Sequence, residues 1–133
     1  MKTTVLDSYA LLAYFEKEAG RDTVAQLLAD AAADEHALYG CVVNWGEVLY
    51  ITERVYGAEK AEDVEAVMAD LPIEWVAADR ALTRVAAQFK VEGGLAYADC
   101  FAAGLAKRID GDLLTGDPEF ETLADDVPVR WLA

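Results

Sequence analysis

The sequence predicts a single α/β domain with three layers, α/β/α, around a central parallel sheet of about four to five strands. Short apolar runs alternate with amphipathic helical patterns along the chain. This alternation is typical of a parallel sheet that is covered by helices on both faces. The 133 residues contain no internal repeat and no linker, so we assign residues 1–133 to one domain.

The predicted elements follow one another in a regular order. Strands are predicted over residues 2–6, 37–43, 73–76, 112–115 and 127–132. Helices are predicted over residues 8–15, after Gly20 with apolar positions from 24 to 31, from 44 up to Gly57, over 58–71, from 79 up to Gly93-Gly94, and over 97–109. A short helix begins at residues 117–118. Ser8, Asn44 and Asp79 are the expected N-caps, because their side chains accept hydrogen bonds from the free amides of a first helical turn.

Four acidic residues stand at junctions between strands and helices: Asp7, Glu47, Asp99 and Asp117. Helices in right-handed crossovers run antiparallel to their strands, so these junctions share the carboxyl edge of the sheet. Open α/β sheets bind ligands at that edge. Carboxylates gathered there repel one another unless a cation holds them. The sequence therefore predicts a divalent-metal site, with metal-assisted cleavage of a phosphodiester as its most natural use.

Each acid taken singly also has a structural explanation. Asn44 and Glu47 have the spacing of a capping box, and Asp117-Pro118 is a favourable helix start. Asp99 suits the positive end of a helix dipole. Asp7 is the hardest to explain in this way, because an acid that directly follows an apolar strand needs a partner when it is buried.

Other side chains near the same edge have two possible roles. Ser8 and Thr115 could orient the acids by hydrogen bonds, although both are ordinary residues at such junctions. Five aromatic residues lie near the proposed edge in sequence and could stack on nucleobases, although aromatics at helical spacing are also common in cores: Tyr9, Tyr14, Trp45, Tyr50 and Tyr97.

The composition narrows the class of protein. The chain has 25 acidic and 11 basic residues and a net charge of -14. This charge disfavours non-specific nucleic-acid binding and favours a basic partner. Alternatively, it marks a protein of a high-salt cytoplasm, where acidic surfaces are common.

Cys41 and Cys100 form no Cys-x-x-Cys pair, so we expect both to be buried apolar residues. His36 is expected in a surface loop. Asp7 interrupts any signal-peptide core, so we expect a cytoplasmic protein.

Four short motifs occur in a fixed order along the chain. They are Val5-Leu6-Asp7-Ser8, Asn44-x-x-Glu47, Tyr97-Ala98-Asp99 and Leu114-Thr115-Gly116-Asp117-x-x-Phe120. With these motifs the sequence resembles the PIN-domain ribonucleases, and most closely the VapC-type toxins of bacterial and archaeal toxin–antitoxin pairs. The resemblance covers essentially the whole chain.

The resemblance implies a PIN-like fold and a metal-dependent endoribonuclease that acts as the toxin of such a pair. It implies that Asp7, Glu47, Asp99 and Asp117 are the catalytic residues and hold Mg²⁺ or Mn²⁺. It also implies an RNA substrate, a small antitoxin protein as partner, and a homodimer. The alternatives are a PIN-fold RNA-processing nuclease outside toxin systems, or a catalytically silent module that binds RNA or protein.

Two other enzyme and signalling classes fit the motifs poorly. A phosphate-accepting receiver module would have paired acids after the first strand and a lysine near the last, and the sequence has neither. A phosphatase of the haloacid-dehalogenase type needs Asp-x-Asp, whereas the chain has Asp7-Ser8-Tyr9.

Overall fold

The computed structural model describes residues 1–123 and 125–132. The strands are β1 (Lys2–Leu6), β2 (His36–Cys41), β3 (Glu74–Val76), β4 (Asp112–Thr115) and β5 (Val129–Trp131). The α-helices are α1 (Ser8–Phe15), α2 (Arg21–Ala32), α3 (Val42–Tyr56), α4 (Ala58–Asp70), α5 (Arg80–Glu92) and α6 (Tyr97–Arg108). A 3₁₀ helix, Pro118–Leu123, replaces the short helix predicted after Asp117.

All five strands are parallel and form one sheet in the order β3-β2-β1-β4-β5. Val5 of β1 pairs with Tyr39 on one side and with Leu113 on the other. The chain thus builds the sheet outward in one direction from β1 to β3 and then in the other through β4 and β5. Open α/β sheets bind ligands in the crevice at such a reversal, which in this sheet falls between the carboxyl ends of β1 and β4.

The sheet separates two hydrophobic cores, which confirms the predicted three-layer α/β/α architecture. Neighbouring residues of a strand point to opposite faces, so Val5 and Leu113 belong to one core and Leu6 and Leu114 to the other. The first core lies under α5 and α6, and the second lies under α1, α2, α3 and α4. The alanine-rich α6 is buried over most of its length.

The N-terminal ends of two helices differ from the predicted caps. The N-cap of α1 is Asp7 rather than Ser8, and its carboxylate accepts a hydrogen bond of 2.9 Å from the Ala10 amide. Helix α3 begins at Val42 after the N-cap Cys41, so Asn44 lies inside the helix and does not cap it. Two valines suggested a longer second strand, but the preference of β-branched residues for strands is weak and tertiary context overrides it. Asp79 caps α5, as predicted.

His36 lies in β2 and only 8% of it is exposed, so the surface loop predicted for it is wrong. Its Nε2 atom is 2.7 Å from Thr4 Oγ1, and Thr4 donates a hydrogen bond of 2.5 Å to Asp112. The neighbouring strand β1 supplies the partner that makes burial of the imidazole possible. Cys41 and Cys100 are both buried, as predicted.

Two further observations concern the helices. Val67 of α4 is 43% exposed, whereas Val64 and Met68 of the same helix are buried. Within residues 1–123 and 125–132, no helix has the length and apolar character that a membrane span requires.

Candidate metal centre

Asp7 is the most deeply placed acid of the carboxyl edge. It follows β1 directly, and only 1% of it is exposed. One carboxylate oxygen, Oδ1, accepts the Ala10 amide of α1 at 2.9 Å, and the other, Oδ2, accepts the Thr115 hydroxyl at 2.6 Å. Thr115 ends β4, so the hydrogen bond spans the crevice between the two central strands. The buried acid therefore has a partner for each of its oxygens.

Glu47 lies in the second turn of α3 and is half-buried. Its Oε1 atom accepts hydrogen bonds from Ser8 at 2.9 Å and from Asn44 at 3.3 Å. Asn44 also donates to the backbone carbonyl of Ala98 in α6 at 3.2 Å. These bonds connect α1, α3 and α6 at one edge of the sheet and orient the Glu47 carboxylate.

Asp99 and Asp117 come together with a third acid, Glu119. Each of the three offers a carboxylate oxygen, and these oxygens lie within 4.8 Å of one another. The start of α6 positions Asp99, the turn after β4 positions Asp117, and the 3₁₀ helix that follows positions Glu119. The Thr115 hydroxyl accepts the Asp117 amide at 3.0 Å, and Asp117 in turn accepts the Glu119 amide at 3.0 Å.

The surroundings of Asp7 and Asp99 disfavour the ionised form of both carboxyl groups. Burial raises the pKa of Asp7 to about 7, although the hydrogen bonds from Thr115 and Ala10 act in the opposite direction and lower it. Burial also raises the pKa of Asp99 to about 7, and the charges of Glu47, Asp117 and Glu119 raise it further. Mutual repulsion of this kind is expected where carboxylates converge in the absence of a compensating charge.

No basic side chain supplies that compensation within the part of the chain that the structure describes. Neither of its two ion pairs, Arg21–Asp22 and Arg108–Asp79, includes one of the four predicted acids. Clustered carboxylate oxygens are the ligands that Mg²⁺ and other hard cations prefer. The donor set, its uncompensated charge and its position at the crevice therefore fit a divalent cation.

The structure brings the four predicted residues to one edge in two groups. Asp99 and Asp117 belong to the cluster of close carboxylate oxygens, whereas Asp7 and Glu47 lie outside it and accept hydrogen bonds from neighbouring helices and strands. The sequence analysis did not find Glu119. The spacing Asp117-x-Glu119 at the start of a turn was the only signal for it, and such spacing is common in solvated turns.

The five aromatic residues considered for stacking divide into two sets. Tyr14 and Trp45 pack against the hydrophobic core. Tyr9, Tyr50 and Tyr97 are each about half exposed. Tyr9 is the one in contact with the turn that carries Asp117, because a Cβ atom added to Gly116 would lie within 3 Å of three atoms of the Tyr9 ring.

A groove of about 550 Å³ lies between α5 and the end of α6, and none of the four predicted acids lines it. Arg84, Lys107 and Arg108 line it together with apolar residues of α5 such as Val85 and Phe89. The acids of the carboxyl edge do not contribute to it.

Fold and site together define an α/β protein with a cluster of acidic residues where the order of a parallel sheet reverses. The sequence matches the model of the PIN domain over residues 4–126. The chain therefore belongs to the PIN domain family. Among curated proteins, none matches the sequence.

Solved structures of toxin–antitoxin proteins share the fold at low sequence identity. VapBC2 from Rickettsia felis, bound to a DNA fragment from its promoter, aligns with a TM-score of 0.78 and 14% identity over 98% of this chain and 99% of the other. DNA-bound VapBC from Salmonella typhimurium has a TM-score of 0.75 and 16% identity over 98% of both chains. VapC20 from Mycobacterium tuberculosis, a toxin that cleaves the sarcin–ricin loop, has a TM-score of 0.74 and 17% identity over 96% of this chain and 98% of the other.

Proposed function

We propose that this chain is a metal-dependent endoribonuclease that hydrolyses RNA phosphodiester bonds and acts as the toxin of a toxin–antitoxin pair. The observation that carries the proposal is the convergence of uncompensated carboxylates at the crevice between β1 and β4. Membership of the PIN domain family supports it. The fold that the chain shares with VapC toxins supports the same assignment.

The proposed site consists of Asp7, Glu47, Asp99 and Asp117, which hold Mg²⁺ or Mn²⁺. A divalent cation supplies Lewis acidity and an activated water for attack on phosphorus. Asp7 and Asp99 are proposed as direct ligands, and Glu47 and Asp117 as residues that bind through water or orient the nucleophile. Glu119 joins this set on the strength of its distance to Asp99 and Asp117.

The hydrogen bonds of the site prepare the acids for this role. Thr115 donates to Asp7 and thereby favours its ionised form, which is the form that binds a cation. Ser8 and Asn44 hold the Glu47 carboxylate in one orientation. The proposed mechanism needs no side-chain nucleophile, because a water molecule attacks the phosphorus.

We propose that this single domain acts on an RNA substrate in the cytoplasm. We also propose that it forms a homodimer and binds a small antitoxin protein. The solved relatives from Rickettsia felis and Salmonella typhimurium are complexes with their antitoxins. The acidity of the present chain, with a net charge of -14, favours a partner with a basic segment.

Cleavage of RNA by the purified protein tests the proposal. We expect cutting with Mg²⁺ or Mn²⁺, none with EDTA, and a loss of at least about a hundredfold in Asp7→Asn. Asp79→Asn is the matched control, because Asp79 is also an N-cap acid but lies outside the site, and asparagine caps helices as well as aspartate does. Equal cutting by the Asp7→Asn variant and the wild type would refute the proposed site.

The toxin assignment has a separate test. Expression of the chain should arrest growth, and the product of a small neighbouring reading frame should restore it. RNA cleavage without growth arrest would instead favour an RNA-processing nuclease. Binding of RNA with no cleavage under any metal would favour a catalytically silent module.

A further inference from the structure

A surface cavity of about 200 Å³ lies along α1 and includes Tyr9, which contacts the turn of the candidate metal centre. It is lined by Tyr9, Leu12, Ala13, Glu16 and Glu18. We propose that this cavity binds a guanine base of the RNA, next to the phosphate that is cut. The inference rests on the proposed nuclease function and adds a base preference to it.

Tyr9 connects the cavity with the metal centre. Its ring lines the cavity and also contacts Gly116, the residue between Thr115 and Asp117. The absence of a side chain at Gly116 permits this contact, since a Cβ atom there would lie within 3 Å of three ring atoms. Because the ring is 46% exposed, a base can reach it from solvent, and stacking of bases on aromatic rings is a common way in which proteins bind single strands.

The size and walls of the cavity suit one ring system. Pockets that enclose whole small-molecule ligands measure about 300–1,000 Å³. The present cavity is smaller, so it can hold one base but not a whole nucleotide. Leu12 and Ala13 supply apolar wall beside the Tyr9 ring. A planar base can therefore contact an aromatic ring and aliphatic carbon together.

Two carboxylates complete the cavity at the end of α1. Glu16 is half-buried at the C-cap, and Glu18 is exposed two residues later. Lys17 between them has a φ of 56°, a left-handed conformation that turns the backbone there. The Glu18 amide then donates to the Ala13 carbonyl at 2.9 Å, and both glutamates line the same cavity.

Burial and the neighbouring Glu18 raise the pKa of Glu16, whereas a hydrogen bond with Tyr56 lowers it. In their ionised form carboxylates only accept hydrogen bonds, so they select among the four bases by the donors that each base presents. Guanine presents two adjacent donors, N1–H and the 2-amino group, which match the two oxygens of one carboxylate. Adenine and cytosine present an amino group next to an acceptor nitrogen, and uracil presents one N–H between two carbonyls. A carboxylate therefore pairs with guanine twice and with the other bases at most once.

A base explains the position of the cavity as well as its chemistry. The Tyr9 ring lines the cavity and also contacts Gly116, the residue before Asp117, so a base stacked on this ring lies beside the turn that carries Asp117. An arginine side chain of a partner protein could also contact a tyrosine and two carboxylates. That occupant needs no proximity to a phosphate site, so we make it an outcome of the test.

Nuclear magnetic resonance titration of the ¹⁵N-labelled chain, without metal, tests the inference. Guanosine, which has no phosphate, is the first probe, and inosine, which lacks the 2-amino group, is its matched comparison. We expect saturable shifts of the amides of residues 9–18 with guanosine, and binding about tenfold weaker with inosine. N-acetyl-arginine amide is the third probe.

Variants of the lining residues assign the binding to the cavity. Tyr9→Phe should retain guanosine binding, because the ring remains, and Tyr9→Ala should lose most of it. The double variant Glu16→Gln and Glu18→Gln should abolish the preference for guanosine over inosine. Glu53→Gln on α3 is the matched control and should keep that preference.

Three results would overturn the inference. They are the absence of shifts at residues 9–18, equal affinity for guanosine and inosine, and tighter binding of the arginine amide than of guanosine. The nuclease function fails separately, because nucleoside binding needs no metal. RNA cleavage without guanosine binding refutes only the base pocket, whereas guanosine binding without RNA cleavage refutes only the nuclease.

Discussion

Thr115 shows how one residue controls the protonation of the site. Its hydroxyl donates to Asp7 at 2.6 Å and accepts the amide of Asp117 at 3.0 Å. It therefore connects an acid at the end of β1 with the turn that carries the acid cluster. Burial raises the pKa of Asp7, and the Thr115 bond is the largest influence that lowers it.

Thr115→Val should raise the pKa of Asp7 further, because it removes the bond that favours the carboxylate. More of the protein then has Asp7 protonated at pH 7, so Mn²⁺ affinity and RNA cleavage should fall about tenfold at that pH and recover towards wild-type values at pH 9. Isothermal titration with Mn²⁺ and a pH–rate profile measure this.

Thr83→Val is the control for that substitution, because Thr83 donates only to the Asp79 carbonyl of its own helix. Its pH–rate profile should match the wild type. A Thr115→Val profile with no shift towards higher pH would show that the hydroxyl does not act through Asp7.

At the scale of the element, strands β2 and β3 depend on a glycine facing a tryptophan. Gly40 pairs with Trp75 in the register of the two strands. A Cβ atom at Gly40 would lie 2.5 Å from Cζ3 of the Trp75 ring. The tryptophan ring thus occupies the space that a side chain at Gly40 would need. The Nε1 atom of Trp75 donates a hydrogen bond to the Met68 carbonyl at 3.4 Å.

Gly40→Ala should destabilise the protein by about 1–3 kcal/mol, because the added methyl group overpacks the space that the tryptophan ring fills. Urea unfolding followed by Trp fluorescence measures the change. Gly46→Ala is the matched control, since a Cβ atom at Gly46 meets nothing within 4 Å and alanine favours the helical interior by up to about 1 kcal/mol. Equal stability of the two variants would contradict the close contact.

The order of the elements is the part of the fold that sequence patterns predicted best. Alternating apolar runs and helical stripes are local signals, and they located every strand of the sheet within a few residues. The bounds of β2 and α3 were the main errors, because Val42 and Val43 follow a strand and have a strand-like preference, whereas packing places them in a helix.

At the scale of the whole molecule, the acidity of the chain makes its stability depend on pH. In the folded metal-free protein the pKa values of Asp7 and Asp99 are about 7, whereas an unfolded aspartate has a pKa of about 3.9. Between these values the folded state binds more protons than the unfolded state, so the free energy of unfolding falls as pH rises. The stabilising effect of protonation is complete below about pH 4 and is lost above about pH 7.

The metal-free protein should therefore have a lower Tm at pH 8 than at pH 5, and Mg²⁺ should raise the Tm at pH 8 because it binds the ionised carboxylates. Differential scanning calorimetry measures both effects. Asp99→Asn should reduce the dependence on pH and the response to Mg²⁺. Asp70→Asn, which replaces an exposed acid of α4, should leave both unchanged; a response to Mg²⁺ that survives in Asp99→Asn would place the cation elsewhere.

The basic residues are distributed unevenly over the molecule. Residues 80–108, which contain α5 and α6, carry five of the 11 basic residues and two of the 25 acidic ones. Their net charge is +3 in a chain of -14. Three of these basic residues line the groove between α5 and α6: Arg84, Lys107 and Arg108.

If the groove attracts RNA phosphates, the double variant Arg84→Gln and Lys107→Gln should weaken RNA binding. The slope of log affinity against log salt should then fall by about one for each lost contact. Fluorescence anisotropy with a single-stranded RNA at several salt concentrations measures it. The double variant Arg54→Gln and Lys60→Gln, on α3 and α4, is the control, and equal slopes in the two variants would exclude the groove as an RNA contact.

The sequence by itself determined the α/β class, the order of the elements and the placement of Asp7, Glu47, Asp99 and Asp117 at junctions of one sheet edge. These features follow from local periodicity and from the geometry that every parallel crossover shares. Only the tertiary structure decided which side chains meet: Glu119 with Asp99, Thr115 with Asp7, and His36 with Thr4. The partners Asp7 and Thr115 are 108 positions apart. Contacts over such separations depend on strand order and register, which local patterns do not encode.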